Sequence, residues 1–223
     1  YSICNVLAES GYDYISRWLP FEIEQEDLTN RIANKMIRPT TIPQSMEELI
    51  VEQALAREAL RLSFIQHKQF AVSLKGVQQE RTISDAFEQT SSGKTLVNML
   101  ELDLIVGSGG VLSHAPRRSQ SFLMMVDSFS PLGITQIAVD SIFMMPQLGV
   151  LSSIHPEAAL EVFDRDCLIR LGTSINPIIK NKSGEELFSY TFCYNNKDYN
   201  GIIKSNDLEL IEIPYEPIDL TLK

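Results

Sequence analysis

The residues best suited to chemistry form a glycine turn, Gly107-Ser108-Gly109-Gly110, between two segments of regular pattern. The apolar segment Leu102–Val106 predicts a buried strand before the turn, and Pro116 predicts the start of a helix that runs to about Phe129. Consecutive glycines let backbone N–H groups approach a phosphate, or let an adenosine lie flat against the turn. They also permit a tight strand-to-helix turn without a ligand. The local pattern leaves both interpretations open.

Two established phosphate-binding patterns are absent. The segment Ser92–Thr95 resembles the end of a P-loop, but the place of the first P-loop glycine holds Glu88, and no apolar strand precedes it. A carboxylate in a phosphate cradle would repel the ligand, so we reject a P-loop. The turn that begins at Gly107 also differs from the dinucleotide fingerprint, because Leu112 stands at the third glycine position.

Four polar residues near the glycine turn are candidates for an auxiliary role. His114 and Arg117, together with Arg118, stand beside the start of the predicted helix, where they would meet an anion. Asp140 ends a second predicted strand, Ile134–Val139, at the edge where sites of open α/β sheets lie. A solvated first turn and a helix cap are the alternative roles. The three histidines are scattered, so no metal site is predicted.

The composition is that of an ordinary soluble globular protein, with 223 residues, 44% apolar and 22% charged. The formal net charge of −10 argues against a nucleic-acid partner, because phosphate contacts require clustered Lys and Arg. No apolar run approaches the length of about 20 residues that spans a membrane. The three cysteines are widely separated, which is typical of a reducing compartment. We therefore predict a cytoplasmic protein without a membrane partner.

The hydrophobic pattern changes twice along the chain and predicts three regions. Residues 1–98 are helical, and their longest helix, about 45–69, begins with a capping box at Ser45–Glu48. Residues 99–175 alternate strand and helix. Residues 176–223 predict a small antiparallel β module with four strands, Ile178–Lys180, Leu187–Cys193, Tyr199–Lys204 and Leu208–Ile213. The fold class is therefore α/β, or α+β overall.

Shorter elements are predicted from proline positions and apolar spacing. A first helix includes Trp18 and ends at Pro20, and an earlier neighbour of the long helix lies near Arg31–Ile37. The remaining predicted elements are a unit around Met144–Leu151, a helix from Pro156 to about Arg165 and a strand at Leu168–Gly172.

An ordered set of segments resembles one protein family. The segments are RPTTIPQSMEELIVEQALAREALRLSF, DLIVGSGGVLSHAPRRSQSFLMMVDSF, AVDSIFMMPQLGVLS and ALEVFDRDCLIRLGT. They are similar to the glutamate mutase accessory proteins, called MutL or GlmL-like, which are unrelated to the mismatch-repair protein of the same name. The likeness spans about residues 12–175.

The resemblance implies an actin-like ATPase fold, ribonuclease H-like in each lobe, whose two lobes close over ATP. A strand and glycine turn of the second lobe hold the adenosine and adjoining phosphates. In this chain Gly107, Ser108, Gly109 and Gly110 match that turn. The implied function is a nucleotide-binding lobe of an ATP-dependent chaperone. It reactivates an adenosylcobalamin-dependent mutase or aminomutase, its partner, and uses ATP or ADP with magnesium.

The chain departs from the family pattern at one point. The Asp-x-Gly-x-Thr loop of the first lobe, which positions magnesium and phosphate, has no counterpart in this sequence. We therefore expect a C-terminal fragment that hydrolyses ATP poorly or not at all without its N-terminal part. Two alternatives remain. One is a non-catalytic interaction module that uses the long helix and the β module, and the other is a small-molecule kinase of the same fold.

Overall fold

The structure, a computed structural model, describes residues 2–71, 96–178, 183–213 and 218–223. Its contacts divide the chain into two units, Tyr1–Asn176 and Pro177–Lys223. The elements of the first unit are α1 (Ile3–Ser10), α2 (Tyr12–Ser16), α3 (Gln25–Ile37), α4 (Met46–Phe70), β1 (Leu104–Gly107), α5 (Gly110–Ser113), α6 (Arg118–Phe129), β2 (Gly133–Asp140), α7 (Met145–Ser152), α8 (Pro156–Val162) and β3 (Leu168–Asn176). Those of the second unit are β4 (Glu186–Tyr194), β5 (Lys197–Lys204) and β6 (Leu220–Leu222). The described residues therefore have the mixed α/β structure that the sequence predicts.

The long helix α4 confirms the prediction for residues 45–69 and starts with a side-chain cap. The Glu48 N–H donates to the Ser45 hydroxyl over 3.2 Å. The Glu48 carboxylate accepts the Gln44 N–H over 2.6 Å, one residue before the partner that a capping box predicts. These bonds satisfy backbone donors that have no partner inside the helix.

The first helices differ from their predicted bounds. The predicted helix that includes Trp18 is two helices, α1 and α2, because Gly11 between them adopts a positive φ of 80°. Trp18 lies beyond the end of α2, in a turn. Helix α3 ends at Ile37 as predicted but begins at Gln25, well before Arg31. An apolar cluster joins helices α1 to α4, and its buried residues are Val6, Ile15, Leu28, Ile32, Val51, Ala54 and Leu55.

A three-stranded sheet in the order β1-β2-β3 follows the helices. Strands β1 and β2 are parallel, and β3 is antiparallel to β2. Helix α6 covers one face, where its buried Met124 and Met125 pack with Ile137 and Val139. Gly107 pairs with Val139, so the carboxyl ends of β1 and β2 lie side by side. The three strands predicted for this region are confirmed, with β3 extending to Asn176.

The helices beside this sheet also differ from their predicted bounds. The helix predicted from Pro116 begins at Arg118, and a separate four-residue helix, α5, precedes it. The unit predicted around residues 144–151 is a helix, α7. The helix predicted to reach about Arg165 ends at Val162 and continues as a π-helical turn, Phe163–Cys167.

The second unit is a small antiparallel sheet in the order β5-β4-β6, as the sequence predicts. Asn195 and Asn196 have positive φ values of 50° and 58°, which suits the tight hairpin between β4 and β5. Phe192 stacks on Tyr199, with ring centroids 4.8 Å apart. The strand predicted at Leu208–Ile213 is wrong, because the third strand is β6, which pairs with β4. Residues 179–180 of the strand predicted at 178–180 lie outside the described residues.

A buried carboxylate joins the end of α2 to α4. The Glu58 side chain is 0% exposed and accepts hydrogen bonds from Arg17, over 2.7 Å, and from the Trp18 indole N–H, over 2.9 Å. Arg61 donates to its second oxygen over 2.8 Å. Burial alone raises the pKa of Glu58, but the hydrogen bonds from Arg61, Trp18 and Arg17 outweigh it and hold the pKa below its ordinary value. The stabilisation is therefore present above the ordinary pKa and is lost as the pH falls through the folded pKa.

We expect Glu58→Gln to destabilise the first unit by about 1–3 kcal/mol near neutral pH, since two guanidinium groups lose their buried anion. The difference from the wild type should shrink as the pH falls below the ordinary pKa of 4.5. Urea unfolding followed by the emission of Trp18, the single tryptophan, measures both effects. Glu47→Gln is the control, because Glu47 is 61% exposed and pairs only loosely with Arg31 at 3.4 Å. A difference independent of pH would contradict the assigned pKa.

Candidate functional site

Two loops meet at the carboxyl edge of the sheet. One is the glycine turn after β1, and the other is Ser141–Met144, which follows β2. The Ser113 hydroxyl, at the end of α5, donates to the backbone carbonyl of Asp140 over 2.7 Å. This buried bond joins the first loop to the end of β2. The structure thus brings the predicted glycine turn and Asp140 together.

Different structural constraints act at the glycines of the turn. Gly107 is buried, and a Cβ there would lie 2.8 Å from Leu112 Cδ1 and 2.8 Å from Met125 Sδ, so a larger residue would force these two buried side chains to shift. Gly109 has a φ of 124°, which L side chains rarely adopt, so its conformation requires glycine. Neither packing nor backbone conformation requires glycine at Gly110. Its φ is not positive, and among the described residues no atom lies within 4 Å of the place of its Cβ.

The glycines of the turn therefore have different surroundings. Gly107 lets the strand and α5 pack closely, whereas Gly110 leaves bare backbone beside open space. Ser108, between them, is exposed. Gly110 is the first residue of the four-residue helix α5, where neither packing nor a positive φ calls for glycine. A ligand that approaches the backbone closely would account for it.

Asp140 is fully buried and holds the second loop. Its Oδ1 accepts the N–H of Ile142 over 3.3 Å, and its Oδ2 accepts the N–H of Met145, at the start of α7, over 3.0 Å. Both carboxylate oxygens are thus engaged by backbone donors, as in the capping role considered from the sequence. Next to it, Ser141 donates its backbone N–H and its hydroxyl to the carbonyl of Cys167, each over 2.9 Å.

His114 and Phe143 form a ring pair across the two loops. Their ring centroids are 5.9 Å apart with an interplanar angle of 77°, an edge-to-face contact. The backbone N–H of His114 donates to the carbonyl of Gly110 over 3.0 Å, so His114 lies one helical turn after Gly110. His114 was a candidate from its sequence position, whereas Phe143 was missed. The available signal was the place of Phe143 in the loop after β2, three residues beyond Asp140.

The two arginines support the start of α6. Arg118 donates to the carbonyl of Ser113 over 2.9 Å and so ties α6 to the end of α5. The backbone N–H of Arg117 donates to the Gln120 side chain over 3.1 Å, and the Arg117 side chain is exposed. Arg118 therefore stabilises the helix that follows the glycine turn, while the Arg117 guanidinium lies at the surface.

In the parts of the chain that the structure describes, no three or more His, Cys, Asp or Glu side chains form a group able to hold a metal ion. No helix within those parts is long and apolar enough to cross a membrane. The segment Ser92–Thr95, rejected as a P-loop, lies outside the described residues.

We expect Gly107→Ala to destabilise the first unit by about 1–3 kcal/mol, because the added methyl group overpacks Leu112 and Met125. Gly110→Ala should leave the stability unchanged or raise it by up to about 1 kcal/mol, because alanine favours the helix and meets open space. Urea unfolding with Trp18 emission measures both. Equal losses in the two variants would contradict the different reasons assigned to the two glycines.

The match to a known family covers the whole candidate site. A model of the MutL protein family matches residues 1–167, about three quarters of the chain. No curated protein and no solved structure matches the chain. The matched range contains α1 to α8, the glycine turn and the loop held by Asp140. With the ordered segments and the sheet edge that they build, this match shows that the chain belongs to the MutL family of glutamate mutase accessory proteins, which implies a role with glutamate mutase.

Proposed function

We propose that the chain is the nucleotide-binding lobe of an ATP-dependent chaperone that reactivates an adenosylcobalamin-dependent mutase or aminomutase. The observation that carries the proposal is the bare backbone of Gly110 at the carboxyl edge of two parallel strands. Ligands of open α/β sheets bind outside this edge. At this edge, a glycine that neither packing nor conformation requires leaves room for a nucleotide to lie against the backbone.

The family resemblance supports an actin-like ATPase lobe as the fold of this proposal. In such a lobe the turn after one strand contacts adenosine, and here that turn is Gly107–Gly110. The hydrogen bond from Ser113 to Asp140 keeps the turn at a constant position relative to the next strand. A nucleotide bound there would connect this lobe to a second lobe, and hydrolysis would then separate them. That motion would expel damaged cobalamin from the mutase and admit intact cofactor.

The residues present fit a nucleotide better than they fit magnesium. The exposed Ser108 hydroxyl and the bare Gly110 backbone suit ribose and phosphate oxygens. The nearest carboxylate described at this edge, Asp140, is buried and bonded to backbone N–H groups through both oxygens. We therefore assign no magnesium ligand to the described residues of this chain.

An interaction module is a second candidate, favoured by exposed apolar side chains on α7 and α8 and in the turn between them. Val150 is 72% exposed, Ile154 71% and Leu160 68%. The two helices contact each other, and α8 contacts the π-helical turn. Val150, Ile154 and Leu160 belong to neither apolar cluster of the described residues. Under this alternative the glycine turn is purely structural and the chain binds its mutase without a nucleotide.

We expect the chain to bind ADP and ATP, and Gly110→Leu to abolish that binding because its side chain would occupy the space that the nucleotide needs. Isothermal titration calorimetry measures the affinities. Gly149→Leu is the matched control, since Gly149 is also helical and a Cβ there would meet nothing described within 4 Å. Absence of nucleotide binding by the wild type would contradict the proposed function and favour the interaction module.

We also expect the isolated chain to release phosphate from ATP far more slowly than the rates of about 1–100 per second that are typical of kinases. The reason is that the loop that positions magnesium and phosphate has no counterpart in its sequence. A phosphate-release assay with ATP and magnesium measures this, with Gly110→Leu as the background control. Turnover in the kinase range that this substitution abolishes would show that the chain holds a complete catalytic site.

A further inference from the structure

Phe143 lies at the candidate site in a backbone conformation that phenylalanine rarely adopts. Its φ is +60°, in the left-handed region, where a bulky residue costs about 1–3 kcal/mol. Its side chain is 38% exposed, so part of the ring is not covered by the described residues. Glycine or asparagine would adopt this backbone at a lower cost. The fold therefore does not explain why this position carries an aromatic ring.

The strained backbone is held from both sides by a single carboxylate. Asp140 accepts the N–H of Ile142, just before Phe143, and the N–H of Met145, two residues after it. The loop is anchored further by the bonds from Ser141 to the carbonyl of Cys167. Asp140 itself is 0% exposed. The backbone of the loop that carries Phe143 is thus fixed by hydrogen bonds on both sides of that residue.

The Phe143 ring and the bare glycine backbone belong to one corner of the molecule. The His114 ring stands nearly perpendicular to the Phe143 ring, at 77°, and its backbone N–H bonds to the Gly110 carbonyl. Phe143 is 38% exposed despite this contact, so part of its side chain is accessible to another planar group. The backbone of Gly110, which has no side chain, lies one helical turn before His114. A flat base joined to a sugar matches this combination.

We propose that Phe143 is the base-stacking residue of the nucleotide site. The base stacks on the exposed part of the Phe143 ring, beside His114. The ribose faces the backbone of Gly109 and Gly110. This inference rests on the proposed function, since it requires that a nucleotide binds at this edge. Stacking needs only a planar π-face, so the ligand class is a nucleoside or nucleotide recognised through its base. Purines, with the larger face, bind more tightly than pyrimidines.

The test compares the affinities of ADP and adenosine for the wild type, Phe143→Leu and Phe143→Tyr. We expect Phe143→Leu to weaken both ligands by the same factor, about 5- to 100-fold, because the lost contact is with the base that they share. Phe143→Tyr keeps the ring and should bind both like the wild type. Phe143→Asn, which suits left-handed backbone, is a second variant without a ring. Phe70→Leu is the control, since Phe70 is 75% exposed at the end of α4.

The outcomes separate this inference from the proposed function. A wild type that binds neither ADP nor adenosine overturns both. A wild type that binds them, with Phe143→Leu and Phe143→Asn equally tight, overturns the stacking role and leaves the proposed function intact. A loss for ADP without a loss for adenosine also overturns it, because the ring would then serve the phosphate side. Trp18 emission during urea unfolding reports whether each variant is folded.

Discussion

The candidate site depends on the burial of Asp140. Its backbone carbonyl accepts the Ser113 hydroxyl and thereby connects the loop after β1 to the end of β2. Its carboxylate orders the next loop by accepting two backbone N–H groups. A buried carboxylate without such partners would be costly, so the loop must adopt the conformation that supplies them. One residue thus sets the geometry of both loops at the sheet edge, including the strained backbone of Phe143.

The helical region contacts the sheet through helix α6. Helix α4 packs on α6 through an ion pair between Arg57 and Asp127, 2.7 Å apart, and through the Ser128 hydroxyl, which donates to the Arg57 carbonyl over 3.1 Å. Helix α6 in turn covers the sheet with Met124 and Met125. Residues far apart in sequence therefore hold the sheet whose edge carries the glycine turn. The helical region and the strands belong to a single structural unit.

Sequence patterns predicted the parts that local physics controls. Helix α4 follows from apolar spacing and a capping serine, and β2 follows from an apolar run that ends in a polar residue. Patterns failed where distant contacts compete with local preference. Leu208–Ile213 has the composition of a strand, yet β6 pairs with β4 instead. Phe143 was missed because no local pattern predicts a phenylalanine with a positive φ. The loop adopts this conformation because Asp140, a buried residue earlier in the chain, accepts the N–H of Ile142.

The sequence by itself determined the family, through ordered segments, and the location of the glycine turn between a strand and a helix. It left open whether that turn is a packing device or a ligand site. The tertiary structure showed, glycine by glycine, what lies where a side chain would be. Gly107 faces Leu112 and Met125, whereas Gly110 faces open space. The physical reason is that the space available to a side chain depends on the atoms packed around that position. Those atoms belong in part to residues distant in the chain, so the sequence next to the glycine does not reveal them.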